Sequence, residues 1–224
     1  YPMKMEELGQ NVGYLLYRTQ AEWDADKERV RVIDGRDRMQ LFVDGNFITT
    51  QYQTEIGQDI FVAAEKGTNH TIDILMENMG RVNYGHKLLA DTQHKGIRTG
   101  VCKDLHFMLH WNQYPLEFKN PEAIDFTKEW HEDQPAFYAF DAELKMLKDT
   151  YLDLTHFGKG IVFVNGVNIG RFWDVGPTLS LYIPHDLLRI GNNRIIIFET
   201  EGKYSKFIDL VHKPTFKPIK GDKL

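Results

Sequence analysis

Short apolar runs broken by polar turns recur along the whole chain. At 11–19, Val12, Tyr14, Leu16 and Arg18 share one face while Leu15 and Tyr17 take the other, which predicts a strand buried on much of both faces. The polar stretch 20–27 reads as a loop. Strands are predicted at 29–33, stopped by Asp34-Gly35, at 39–43, and at 46–53 beyond an Asp44-Gly45 hairpin turn. A short strand at 60–63, a turn at 67–69 and an alternating strand at 71–77 follow. Residues 80–85 read as a loop, and 97–111 as one or two further strands.

The segment 114–118 crosses into a second half. Residues 119–134 are polar, contain Pro121 and read as loop with room for one helical turn. Strands are predicted at 137–144 and 150–154, with 143–149 open between strand end and helical turn. The apolar runs 161–164 and 167–172 flank Asn165-Gly166, a pair that favours a type I′ turn because both central residues must take positive φ. Gly176-Pro177 breaks the chain before a return strand at 179–183. One helical turn at 185–188 and a turn at 191–193 lead into the strand 195–198, apolar on both faces, and a last strand at 207–211. The tail from Lys213 has two prolines and no period, so it reads as extended or mobile.

The pattern repeats. LFVDG at 41–45 matches VFVNG at 162–166, 121 positions apart, and at the same offset residues 60–62 match 181–183. In each copy a glycine turn then precedes an Ile-rich strand. Two copies at this spacing indicate two similar domains rather than a solenoid. Many short strands with frequent turns indicate a β-sandwich or jelly roll. The expected fold is therefore all-β, two jelly-roll sandwiches spanning 1–112 and 113–224.

Composition narrows the function classes. With 27 basic against 32 acidic residues mixed along 224 positions, nothing in the charge points to nucleic acid or an anionic membrane. No apolar run approaches the ~20 residues a membrane helix needs. The first residues lack a secretory leader and an initiator Met, which reads as a piece of something longer. One cysteine, Cys102, excludes an internal disulfide and suits a reducing cytoplasm. The triplet Asn69-His70-Thr71 is a formal glycosylation sequon, of consequence only in a eukaryotic secretory route.

Most catalytic signatures fail. GxSxG, the P-loop, GxGxxG and HExxH are all missing. His106 and His110 lie in strand-like sequence, where four residues separate side chains by roughly 13 Å, so no metal site is expected. Glu199 and Glu201 would share a strand face at roughly 6–7 Å, in the range a glycosidase carboxylate pair needs. The plainer reading is a buried strand emerging into solvent before Gly202. Asp149 and Asp153 make a weaker pair.

Trp111, Trp130, Trp173, Tyr84 and Tyr182 are candidates for stacking on sugar rings. Core packing is the preferred reading for Trp111 and Trp173. Tyr84 differs, because it sits in a loop framed by Gly80 and Gly85 together with Arg81 and Asn83. A loop carrying Arg, Asn and Tyr at the end of a strand is where a ligand contact would sit. A tyrosine that pins its own loop is the competing reading.

GKGIVFVNGVNIGRFWDVGPTLSLYIP at 158–184, followed by LLRIGNNRIIIFETEG at 187–202, closely resembles the C-terminal region of family 35 glycoside hydrolases, the β-galactosidases. Ile169 stands where that family's pattern has Leu, and Thr178 where it has Gln. MEELGQNVGYLLYRT at 5–19, ENMGRVNYG at 77–85, KGI at 95–97 and DTYLDL at 149–154 fit as well, so the resemblance runs in order along nearly the whole chain. It implies galactose-binding-domain-like sandwiches behind an N-terminal TIM barrel that carries both catalytic glutamates, one in an Asn-Glu dipeptide. That dipeptide does not occur here, nor does any βαβ alternation.

The resemblance therefore implies the non-catalytic accessory region of an enzyme that hydrolyses terminal β-galactosides with retention. Its expected partners are its own catalytic barrel and a β-galactoside sugar, with no cofactor; whether it forms a homo-oligomer is left open. Tyr84, Asn83 and Arg81 are the expected sugar-proximal residues. Asn165, Gly166, Arg171, Trp173, Gly176 and Pro177 are expected to specify fold or interface. The alternatives are a stand-alone galactose-binding module and a purely structural or oligomerisation region.

Overall fold

The computed structural model describes residues 1–128 and 130–218. The chain forms two compact units, Tyr1–Phe118 and Lys119–Leu224. Each is a β-sandwich of antiparallel sheets.

The first unit contains β1 (Gly13–Glu22), β2 (Lys27–Arg36), β3 (Arg38–Val43), β4 (Asn46–Tyr52), β5 (Ile60–Ala63), β6 (Asn69–Asn78), β7 (Gly96–Lys103), β8 (His106–Phe107) and β9 (Asn112–Leu116). One sheet runs β4-β3-β6-β1-β9 and the other β5-β2-β7-β8. Leu15, Tyr17, Leu41 and Ile74 from the first sheet meet Val30, Val32, Val62 and Val101 from the second in one fully shielded core. Trp111 belongs to that core, its indole N–H donating to the Met108 carbonyl at 2.8 Å.

The second unit contains β10 (Ala136–Leu144), β11 (Thr150–Asp153), β12 (Lys159–Val164), β13 (Val167–Trp173), β14 (Ser180–Ile183), β15 (Gly191–Glu199) and β16 (Asp209–Val211). Its sheets run β10-β15-β12-β13 and β14-β11-β16. Strand for strand, this is the order of the first unit without the outer β9 and β8. The repeat in the sequence is thus a repeat of topology.

The two hairpins agree in detail. Asp44 and Gly45 take φ of 51° and 78°, and Asn165 and Gly166 take 49° and 84°, so both turns are type I′. The β3–β4 register slips between Leu41 and Phe42, and the β12–β13 register slips between Val162 and Phe163, at equivalent positions. A bulge so placed increases the local twist and helps the sheet curl over its core.

Several expectations need adjustment. Asp34-Gly35 does not stop a strand. β2 continues through it to Arg36, with Asp34 at φ 64° absorbing a bulge against β7. The first unit extends to Phe118 rather than 112, because β9 pairs with β1, Tyr14 opposite Leu116 and Arg18 opposite Asn112. The turn expected at 191–193 is the start of β15, paired with the end of β10. The tail is extended and paired as far as described: the Leu179 N–H donates to the Thr215 carbonyl at 2.8 Å, and the Lys217 N–H to the Pro177 carbonyl at 2.7 Å.

Candidate functional site

β6 ends at Asn78, and three hydrogen bonds turn the chain there. The Met79 N–H donates to Asp37 Oδ2 at 2.8 Å, the Gly80 N–H to Asn78 Oδ1 at 3.0 Å, and Asn78 Nδ2 to the Asn11 carbonyl at 2.9 Å. Arg81 is committed at the base of the loop that follows. Its Nη1 donates to Glu6 Oε1 at 2.6 Å and its Nε to the Asn11 carbonyl at 3.0 Å. Burial pushes the Glu6 carboxyl up, but the Arg81 bond and the Lys95 N–H outweigh it and hold the carboxyl below its usual value.

Beyond that base the loop projects. Tyr84 is 83% exposed and Asn83 is exposed beside it, while Gly85 at φ 113° turns the chain back. Val82, Leu88 and Leu89 are exposed apolar neighbours in the same segment. Of the three residues singled out in the sequence, two therefore stand at the tip and Arg81 anchors it.

Next to the loop base lies a cavity of about 700 Å³, lined among others by Arg36, Asp37, Tyr52, Gln93, Lys95 and Arg81. The Lys95 ammonium donates to both Asp37 oxygens at 2.6 and 2.7 Å, and both side chains are nearly buried. Sequence reading did not reach this pair. The two residues lie 58 positions apart, in a charged stretch and a loop end whose pattern carries no sign of burial.

The second unit has its own concavity, about 790 Å³, lined by Phe126, Trp130, Phe137, Tyr138, Tyr204 and Arg194 among others. The Trp130 indole N–H donates to the Tyr138 hydroxyl at 2.9 Å, and the Trp130 and Tyr204 rings lie 5.6 Å apart, each about half exposed. Trp130 is thus an open aromatic face held in place. Trp173 differs, being half-buried with the Lys159 ammonium 4.5 Å above its ring. Arg171 is exposed on β13, and Gly176 takes φ 78° ahead of Pro177. Tyr182 is about half exposed, its ring 5.4 Å from that of Tyr151.

The Glu199 carboxyl is taken up by the backbone around it rather than facing Glu201 across an open site. Glu199 is fully buried, and its two oxygens accept N–H bonds from Gly158, Lys159, Glu201 and Lys203 at 2.9–3.3 Å. Burial pushes this carboxyl up against the pull of those donors. The carboxylate is a clip that folds the segment after β15 over the start of β12. Among the described residues no group of three or more His, Cys, Asp or Glu is placed to hold a metal ion, and no helix is long and apolar enough to cross a membrane.

Residues 2–117 match the family model described as "Beta-galactosidase, first all-beta domain". The chain belongs to the β-galactosidase family. Residues 135–193 match a second model of that family, "Beta-galactosidase, galactose-binding domain". Beta-galactosidase 17 of Arabidopsis thaliana is 32% identical over 234 aligned residues, covering 91% of this chain and 33% of the relative. Beta-galactosidase 1 of Dictyostelium discoideum is 34% identical over 224, covering 89% and 32%. The chain thus spans about a third of the length of these β-galactosidases, and the part it matches is their β domains. Among solved structures, a GH2 β-galacturonidase from Eisenbergiella tayi is 11% identical with a TM-score of 0.36, over 89% of this chain and 32% of that one.

Proposed function

We propose that this chain is the non-catalytic accessory region of a retaining β-galactosidase. In this reading it buttresses a catalytic barrel, and the 80–85 loop lends Tyr84 to the site where a terminal β-galactoside is cleaved. One observation carries it: Tyr84 is the most exposed tyrosine on a loop whose base is fastened by Arg81 to Glu6 and Asn11. A large aromatic held out on a fastened loop costs little entropy to bury against a sugar's CH face. Asn83 beside it is placed to bond a hydroxyl. The occupied, buried Glu199 leaves the reaction's two carboxylates to the barrel. A cytoplasmic setting belongs to the same reading and rests on the lone Cys102.

The test is Tyr84→Ala in the full-length enzyme. The expected result is a fall in kcat/KM of roughly tenfold on a chromogenic β-galactoside, with folding unchanged. The 224-residue chain alone is expected to show no turnover. Unchanged kcat/KM would remove the loop from the site, and turnover by the isolated chain that Glu199→Gln abolishes would overturn the accessory reading.

A second reading is favoured by the aromatic concavity of the second unit, whose Phe137 and Tyr138 fall within the galactose-binding family match at 135–193 while Trp130 and Tyr204 flank it. There the fixed Trp130 and Tyr204 rings form a platform for a galactosyl ring. Calorimetric titration with galactose, flat for Trp130→Ala and saturable for the parent sequence, would support it. A flat titration of the unaltered chain at millimolar sugar would remove it.

A further inference from the structure

Two carboxylates hold both ends of the loop that carries Tyr84. Asp37 accepts the Met79 N–H at 2.8 Å and the Lys95 ammonium at 2.6 and 2.7 Å. Glu6 accepts Arg81 Nη1 at 2.6 Å and the Lys95 N–H at 3.0 Å. Met79 and Arg81 open the loop and Lys95 closes it, so each carboxylate ties the outgoing chain to the returning chain. A surface loop with its ends joined in this way is an Ω-loop, a form that frequently carries function.

The clamp is tied to the scaffold. Asp37 lies between Arg36, the last residue of β2, and Arg38, the first of β3, where the chain crosses from one sheet of the sandwich to the other. The Lys95 and Asp37 side chains are 7% and 10% exposed, so water and salt screen this pair little. Lys95 leads directly into β7, and the Met5 N–H donates to its carbonyl at 2.9 Å. Tyr84 itself is 83% exposed, so the position of its ring is set by the loop ends rather than by packing of its own. A group that must meet a substrate works best when its support is rigid beforehand, because a misplacement of about 1 Å is costly.

We propose that Asp37 and Glu6 are positioning residues for the β-galactosidase reaction: they touch no sugar, and act by fixing the loop that presents Tyr84. This rests on the reading that Tyr84 reaches the sugar site, and adds to it the residues that hold Tyr84 there.

The experiment is a double-mutant cycle in the full-length enzyme on a chromogenic β-galactoside, with folding checked by circular dichroism. Asp37→Asn removes the charge that holds Lys95 and is expected to lower kcat/KM roughly fivefold. In the Tyr84→Ala background the same substitution is expected to change kcat/KM by less than about twofold, because its effect passes through Tyr84. A purely structural role would lower activity by the same factor in both backgrounds. Glu6→Ala is expected to show the same pattern. The Glu6 side chain is 21% exposed and more tolerant of change, so this second cycle decides the matter if Asp37→Asn does not fold. Unchanged kcat/KM in both single variants, while Tyr84→Ala lowers it, overturns the positioning role and leaves the Tyr84 reading standing. Equal factors in the two backgrounds overturn the positioning role as well. No effect of Tyr84→Ala removes that reading itself, and the positioning role with it.

Discussion

Asn165 and Arg194 are joined by two backbone-directed hydrogen bonds. The Asn165 N–H donates to the Arg194 carbonyl at 2.8 Å, and the Arg194 N–H donates to Asn165 Oδ1 at 2.9 Å. Asp44 and Thr71 are joined in the same way in the other unit, at 2.9 and 2.8 Å. In both copies the first turn residue closes its hairpin and also fastens it to the neighbouring strand.

Asn165→Ala is expected to destabilise the second unit by about 3 kcal/mol. It removes the bond to Arg194 and the Nδ2 bonds to the Leu187 carbonyl and Asn193 Oδ1, at about 1 kcal/mol each, and leaves a Cβ-bearing residue without side-chain bonding at φ 49°. Urea unfolding followed by the fluorescence of Trp130 and Trp173 reads it. A loss under 1 kcal/mol would mean the turn holds without its side chain.

Gly160→Ala is expected to abolish cooperative folding of the second unit while the first survives. A Cβ at Gly160 would lie 1.8 Å from the Phe198 carbonyl oxygen, across the pairing of two central strands. Backbone cannot yield as a side-chain end can, so the cost is expected to exceed about 4 kcal/mol. Amide exchange would show protection lost in β12 and β15 and kept in β1 and β6.

The Asp149–His185 contact is expected to hold over a defined pH range. The Tyr182 hydroxyl, followed by the His185 N–H and ring, holds the Asp149 carboxyl at about 2. A depressed carboxyl stabilises above its unfolded value, and that contribution disappears as pH falls through about 2. His185 is raised above its ordinary 6.5, by Asp149 first and then by Asp186. Its contribution is full below 6.5 and disappears as pH rises through the raised value. Ring-nitrogen NMR should show His185 titrating above 6.5 and moving down in Asp149→Asn. An unmoved midpoint would mean the contact is not made in solution.

Tyr84→Ala is expected to leave the stability of this chain within about 0.5 kcal/mol of the original, since the side chain is 83% exposed. The same denaturation curves check it. A larger loss would show that Tyr84 pins its own loop, and would weaken the case for its reaching a sugar.

The strand content, the two matching hairpins and the family were legible from residue order alone. Period-two alternation, Asp-Gly and Asn-Gly turns and the 158–184 block are local signals, set by backbone sterics within a few residues. Trp111 as core and the 80–85 segment as a loop were readable for the same reason. The role of Arg81 was not, because its partners Glu6 and Asn11 lie about 70 positions away. Nor was the burial of Glu199, which ends the apolar run 195–198 but leads into the polar residues 200–203.

What residue order determined, then, is which segments form strands and where the chain reverses, because those depend on neighbouring φ, ψ and side-chain alternation. Tertiary structure decided which charges are matched. It paired Lys95 with Asp37 and Arg81 with Glu6, enclosed Glu199 in backbone donors, and left Arg36 Nε buried without a partner among the described residues. Electrostatic pairing depends on distances across sheets and loops, and those exist only once the sandwich has closed.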